Sequence, residues 1–363
     1  VLVLGLSTWW VLIDPDWGAL AVYGNPANAV IFWTLFAIVG LAFNLESWGF
    51  DRLLQPMRGL AFGAVCLTIG VAVTIGLAQV WSRVDPSFSP QRPGGIGYFT
   101  GAIFVLFVFL TNVPLATTFE HRPWKTLGLR QPWVGLCEIA VGALLSLALY
   151  ATFAIPALAS WSATDEPLLS VNTTVGFFYC VVVSIIVTSN HTDAWPWAAA
   201  ERGALAWWIS RTVGHVLIGA ALYMGLGFLS GLLLGSDAVD ALGSDGMAIF
   251  PAQLGVWWVF WSIFWSNCTG NRPNGFTSGV NRVVRVGITF VLACLSFTAY
   301  YHWMASSVLH EPPLAAGTAG NALGFVDWLI VCLLLYAVGA QAWRPSRRNA
   351  HPTPTETKEE SNP

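Results

Sequence analysis

The sequence predicts an all-α protein, a polytopic membrane helix bundle with about ten transmembrane helices. Three observations lead there: long apolar runs, scarce charge, and the one-sided placement of that charge. Of 363 residues, 55% are hydrophobic and only 10% are charged. A soluble domain carries about 25% charged residues, so water does not solvate most of this chain. A run of about 20 apolar residues spans the roughly 30 Å hydrocarbon core as a helix.

Taken in order, the candidate spans are 1–13, 28–45, 58–81, 98–118, 132–157, 170–190, 205–235, 247–267, 282–305 and 322–343. The first is short for a span, and no basic leader or small-residue cleavage site accompanies it, which argues against a signal peptide. It either borrows length from Asp14 to Trp17 or begins inside a longer segment; the starting Val allows both and suits truncation or a non-standard start. The run 205–235 exceeds one span, so its first residues are expected to form an interfacial turn before the helix enters. Residues 1–343 read as a single transmembrane domain. The polar, Pro-rich tail 344–363 lacks the apolar content to fold, and its basic start suits anionic headgroups.

The connections between these runs fall into two classes. Those joining runs 2–3, 4–5, 6–7 and 8–9, together with the tail, hold all but two of the 16 basic residues. The exceptions are Arg83 and Arg92, on the side that also carries Asp14, Asp85, Glu166, Asp240 and Glu311. Arginine-rich connections stay in the cytoplasm. Both termini are therefore expected there, with the chain multi-pass in the plasma or inner membrane; ten spans return the chain to its starting side. The six cysteines lie in or beside apolar runs without CxxC or Cys/His spacing, so neither a disulfide framework nor a metal site is indicated.

Four connections on the basic side resemble one another. Three share an acid, two residues, Gly or Pro, then an aromatic: Glu46-Ser-Trp-Gly-Phe50, Glu120-His-Arg-Pro-Trp124 and Asp193-Ala-Trp-Pro-Trp197. The fourth is looser, with Asn271 aligned to the acid and Pro273, Gly275 and Phe276 behind it. Helices end near Asn44, Asn190 and Asn267 before three of these knots, and Asn112 lies near the end of the helix before the Glu120 knot. A unit of two helices and a knot thus recurs four times as parallel helix-hairpin repeats, at about 28–81, 98–157, 170–235 and 247–305. Runs 1 and 10 would be halves of a broken fifth. Two roles compete for the knots. In one, Trp and Phe lie in the interfacial belt, Pro or Gly ends a helix, and acid and Arg pair. In the other, the acids and amides Glu46, Glu120, Asp193, Asn44, Asn190 and Asn267 gather at the cytoplasmic mouth of a pathway.

Ionisable residues inside a span are costly and mark function. Glu138 lies about one and a half turns into run 5, and Arg211 and His215 share one face of run 7 at i and i+4. Glu138 is expected to face Arg211 or His215, an intramembrane polar site at which His215 would carry protons. The competing reading has Arg211 snorkelling to the interface with Glu138 as its fixed partner.

No Walker A, HExxH, GxSxG or dinucleotide turn is present, so no catalytic residue, metal or cofactor is assigned. Lys125 and Lys358 are the only lysines, and neither lies in a span where it could hold retinal. Nucleic acid is excluded for want of a soluble domain or a basic surface. The expected partners are the lipid bilayer, an unidentified small solute and, in one reading, another membrane protein. The sequence therefore favours a transporter or permease for a small solute, with proton coupling through His215, over an enzyme. The alternatives are an accessory or scaffold subunit of a membrane complex and a membrane-embedded enzyme acting on a lipid or quinone.

This topology places the Trp195 corner and the 82–97 connection on opposite faces. Single cysteines at Trp195 and Gln91, introduced after the native thiols are removed, should react with an impermeant maleimide from opposite sides of the membrane. Labelling from one side would overturn the assignment.

Overall fold

The computed structural model describes residues 1–92, 96–154, 168–193, 195–197, 205–315 and 320–342. It is all-α, as expected. The helices are α1 (Leu2–Leu12), α2 (Ala27–Asn44), α3 (Met57–Arg83), α4 (Ile96–Thr117), α5 (Trp133–Phe153), α6 (Val171–His191) and α7 (Leu205–Leu234), followed by α8 (Ser236–Met247), α9 (Phe250–Cys268), α10 (Ser278–Ser307) and α11 (Ala322–Gly339). The tail 344–363 lies outside the described residues, as does Arg202.

Eight of these helices, α2 to α7, α10 and α11, are long and apolar enough to cross a membrane, which makes the chain a multi-pass helical membrane protein. Ten were expected; among the described residues eight qualify by length and composition, or nine if α8 and α9, bent by 93°, act as one broken span. The first run supplies only α1, whose 11 residues reach about 17 Å at 1.5 Å per residue. The turn expected at the start of run 205–235 is absent among the described residues: Leu205–Leu234 is one helix of 30 residues. Its mostly apolar circumference suits lipid, where an unbroken helix satisfies every backbone group and a turn would not.

The helices form two layers. α2 packs on α4, α4 on α6, α6 on α9, α9 on α11 and α11 back on α2, a closed ring of five. Outside it, α3 packs on α2, α5 on α4, α7 on α6, α10 on α9 and α1 on α11. The outer helices expose large apolar side chains, among them Leu60, Leu144, Leu217, Phe228, Val283 and Leu295, as a lipid-facing surface should. Their buried residues recur every fourth position: Phe62, Cys66, Gly70 and Thr74 on α3, and Glu138, Gly142 and Ser146 on α5. The same spacing gives Arg211, His215 and Gly219 on α7 and Asn281, Arg285, Thr289 and Ala293 on α10. Four-residue spacing holds one face of a helix against its neighbour. Small residues in that face let backbones approach.

At the end of the bundle that carries the knots, four of the five ring helices finish alike. The N–H of Ser47 reaches Leu41 O at 2.8 Å, His121 reaches Leu115 O at 2.9 Å, Asn271 reaches Trp265 O at 3.4 Å and Ala342 reaches Tyr336 O at 2.9 Å. This is the six-residue closure of a Schellman turn, which needs a left-handed residue just after the helix. Glu46, Ser47, Glu120, His121, Asp193, Asn271, Gln341 and Ala342 all adopt positive φ there. The fourth knot shifts by one residue from the sequence alignment. Gly270, at φ 65°, takes the place of the acid, and Asn271 that of Ser47 and His121.

The same ends are tied to the next hairpin. Gln55 Nε2 donates to Gly339 O at 3.1 Å, Gln131 Nε2 to Asn44 O at 2.9 Å, Arg211 Nη1 to Thr118 O at 2.5 Å and Asn271 Nδ2 to Asn190 O at 2.6 Å. Each donor satisfies a terminal carbonyl that the helix cannot pair internally.

Gly135 marks how close this approach is: a Cβ there would lie 2.6 Å from Asn44 O. Gly135→Leu should therefore push α5 off the end of α2 and cost about 1–3 kcal/mol, as overpacking does. Thermal unfolding in detergent should show a lowered midpoint, while Leu144→Ile on the lipid face leaves it in place. Equal midpoints would refute the close contact.

Candidate functional site

The ring encloses a cavity of about 590 Å³ to which all five of its helices contribute. On α4 the lining runs from Phe99 to Thr117 and on α11 from Leu323 to Val338, or about 27 Å and 22 Å along the helices. It thus extends over most of a hydrocarbon core. The wall is largely apolar, with Phe32, Phe43, Phe99, Phe109 and Tyr179 presenting aromatic surface. Thr117, Ser189, Asn190, Ser266 and Asn267 form a polar rim at the knot end. The amides of the rim are held in place: Asn190 Nδ2 donates to Ile186 O at 2.9 Å and Asn267 Nδ2 to Ile263 O at 2.8 Å.

One charged residue lines the cavity, Asp327 of α11. It is 4% exposed, and its one hydrogen-bond partner among the described residues is the Tyr179 hydroxyl, donating at 3.5 Å. That length is at the limit of a useful hydrogen bond. Among the described residues no Lys, Arg or His lines the same space. A lone carboxylate in apolar surroundings is costly unless a proton or a cation neutralises it.

The intramembrane trio expected from the sequence is not assembled. Glu138 is fully buried, but its partners are Asn44 Nδ2 at 2.9 Å and His121 Nδ1 at 3.1 Å, at the α2–α4–α5 corner. His121 also faces Glu46 at 3.4 Å, and Glu46 accepts from Lys125 Nζ at 2.6 Å. That hydrogen bond, more than any other contact, holds the Glu46 carboxyl below its ordinary range. Arg211 does not snorkel. It is 2% exposed, lies 4.0 Å over the Trp207 ring and donates to Thr118 O and Trp197 O. His215 Nδ1 lies 3.1 Å from Ser184 Oγ. Glu138 thus belongs to one corner of the bundle, Arg211 and His215 to another. Their helices face different neighbours, a difference that hydropathy along one chain does not encode.

The knot residues divide as well. Asn190 and Asn267 line the cavity rim, whereas Asn44 points at Glu138. Asp193 pairs with Arg282 at 3.2 Å and Arg285 at 3.8 Å, and Glu46 with Lys125. In both, the acid of one knot meets a base belonging to the next hairpin. Glu120 holds the left-handed position in its own knot and is absent from the cavity wall. Asp327 falls outside the sequence patterns, although a lone acid in the apolar run 322–343 is itself a signal.

A second buried polar cluster closes the opposite end of the bundle. Glu311, 4% exposed, accepts a hydrogen bond from the Tyr300 hydroxyl. Nearby, His310 Nδ1 lies 2.9 Å from Asp14 Oδ2. Burial pushes the Glu311 carboxyl up to about 7; Tyr300 opposes that shift and the Asp14 charge adds to it. Tyr23 and Tyr301 also face this carboxyl.

Comparison with protein-family models, with curated proteins and with solved structures finds no match.

The raised Glu311 carboxyl sets a pH dependence. The native state binds its proton more tightly than the unfolded chain, so the stabilisation is complete below about 4.5 and disappears as pH rises through about 7. The unfolding midpoint in detergent should fall between mildly acidic and mildly alkaline buffer, and Glu311→Gln should flatten that fall. A Gln variant with the wild-type pH profile would refute the assignment.

Proposed function

We propose that this chain is a membrane transporter or permease that moves a small solute along the axis of the five-helix ring. The carrying observation is the cavity itself: about 590 Å³, contributed to by all five ring helices and containing a single acid, Asp327. Pockets of about 300–1,000 Å³ with few polar groups are typical of small-molecule sites. Asp327 takes over the role that the sequence gave to Glu138, Arg211 and His215, and any proton coupling passes through it. Glu138 serves as an anchor between Asn44 and His121.

Because arginine-rich connections stay in the cytoplasm, the knot end of the bundle, where α11 finishes, is the cytoplasmic end in a cell or inner membrane. Asn190 and Asn267 then form the cytoplasmic mouth. Four parallel units supply the architecture, and α11 with α1 supplies a fifth. The shared helix closures, and the donors that tie one hairpin to the next at Gly339, Asn44, Thr118 and Asn190, support this arrangement.

A second reading is a membrane-embedded enzyme that takes a lipid or quinone, favoured by the largely apolar wall. It is weaker because no second acid or base lines the cavity beside Asp327.

Cysteine accessibility tests the pathway. The native cysteines are replaced, and single cysteines at Val182 and Ile330 on the cavity wall are compared with Leu144 and Leu217 on the lipid face. In liposomes, the cavity positions should react with an impermeant methanethiosulfonate reagent from at least one side, and the lipid-facing ones should not. Cavity thiols as inert as the lipid-facing pair would overturn the proposal.

A further inference from the structure

We infer that the solute is a monovalent organic cation with an apolar body, a lipophilic ammonium or its equivalent, and that Asp327 carries its charge. The inference rests on the transport reading and names its substrate class. Among the described residues Asp327 is the only charged group on the cavity wall; it is nearly fully buried and has one long hydrogen bond, from Tyr179. Neutralisation must therefore come from something that enters the cavity. A single carboxylate sets the complementary charge at plus one.

The surroundings select the kind of cation. Mg²⁺ and Ca²⁺ require about six to eight oxygen ligands at short range. Asp327 and Tyr179 offer a carboxylate and one hydroxyl. The next polar residue of α6 on the cavity wall, Ser189, lies about 15 Å farther along the helix. An inorganic ion would thus keep its water in an apolar space, which is unfavourable. An organic cation brings its own apolar cover, and Phe32, Phe99 and Phe109 supply aromatic faces of the kind that attract such cations. Anions are excluded, because no positive group on the wall would meet them and Asp327 would repel them.

Proton and cation then compete for one carboxylate. Entry of the cation releases the Asp327 proton to water, and return of a proton ejects the cation. Charge stays balanced in both occupied states, and the site functions as a one-for-one exchanger.

The test uses tetraphenylphosphonium as the probe and tetraphenylborate, of similar shape and opposite charge, as the control. Both are titrated calorimetrically into the full chain in nanodiscs, with empty nanodiscs subtracted. Phosphonium should bind saturably with release of about one proton, weakening about tenfold per pH unit in the acidic limb, as one-for-one competition requires. Borate should not bind saturably. Asp327→Asn should lose at least tenfold in affinity and all pH dependence, at an unchanged unfolding midpoint. If that variant does not fold, the wild-type chain still decides: a hydrophobic carbodiimide should modify Asp327, located by mass spectrometry, and phosphonium should protect it. Equal binding of both ions, pH-independent phosphonium binding, or modification without protection would each overturn the inference. If the cavity cysteines react yet phosphonium fails, the transport reading stands and only the substrate class falls; if the cysteines are inert, both fall.

Discussion

A helix that stops at a membrane boundary leaves its last carbonyls without partners, and this constraint organises the molecule. The protein meets it by lending side chains across helices. Gln55, Gln131, Arg211 and Asn271 each donate to the final turn of a ring helix to which they do not belong. Because each donor sits on the next hairpin, satisfying the carbonyls also fixes the spacing and order of the ring. Ion pairs such as Glu46 with Lys125 and Asp193 with Arg282 reinforce the same contacts. They are partly exposed and add little individually; the hydrogen bonds, buried for Arg211 and part-buried for the other three, carry more.

A ring held at its ends does not need to be filled along its axis. The outer helices supply the close packing, through seams with Gly70, Gly142 and Gly219 against the ring. The inward faces of the ring are therefore free to carry Phe, Val and Ile around an open space. The polar rim at the knot end and the single acid farther along divide that space into a polar entrance and a largely apolar chamber. Such a division suits a solute that must shed water before it meets its charge partner.

Three buried acids show how environment assigns roles to one chemical group. Glu138 is bonded to Asn44 and His121, and its charge is met within the protein. Glu311 is bonded by Tyr300 at the far end, where burial favours its proton. Asp327 has the weakest partner and faces the cavity. The acid least satisfied by the protein is the one best suited to act on something else.

The sequence by itself determined that the chain is helical and lies in lipid, because long apolar runs with so little charge have no other stable form in a bilayer. It also located the knots and the residues that end their helices, since Gly, Pro, Asn and acids act locally on the backbone. Asn190 and Asn267 were legible as rim groups from their place near helix ends. Tertiary structure alone decided which helices face inward. Glu138, Arg211 and His215 all read as membrane-buried, yet their helices lie in the outer layer, and the three are spent on separate contacts between helices. Asp327 lies on a ring helix and faces the axis. The ring helices are apolar around most of their circumference, so hydropathy carries little record of which face meets the cavity; only the packing of one helix on the next supplies it.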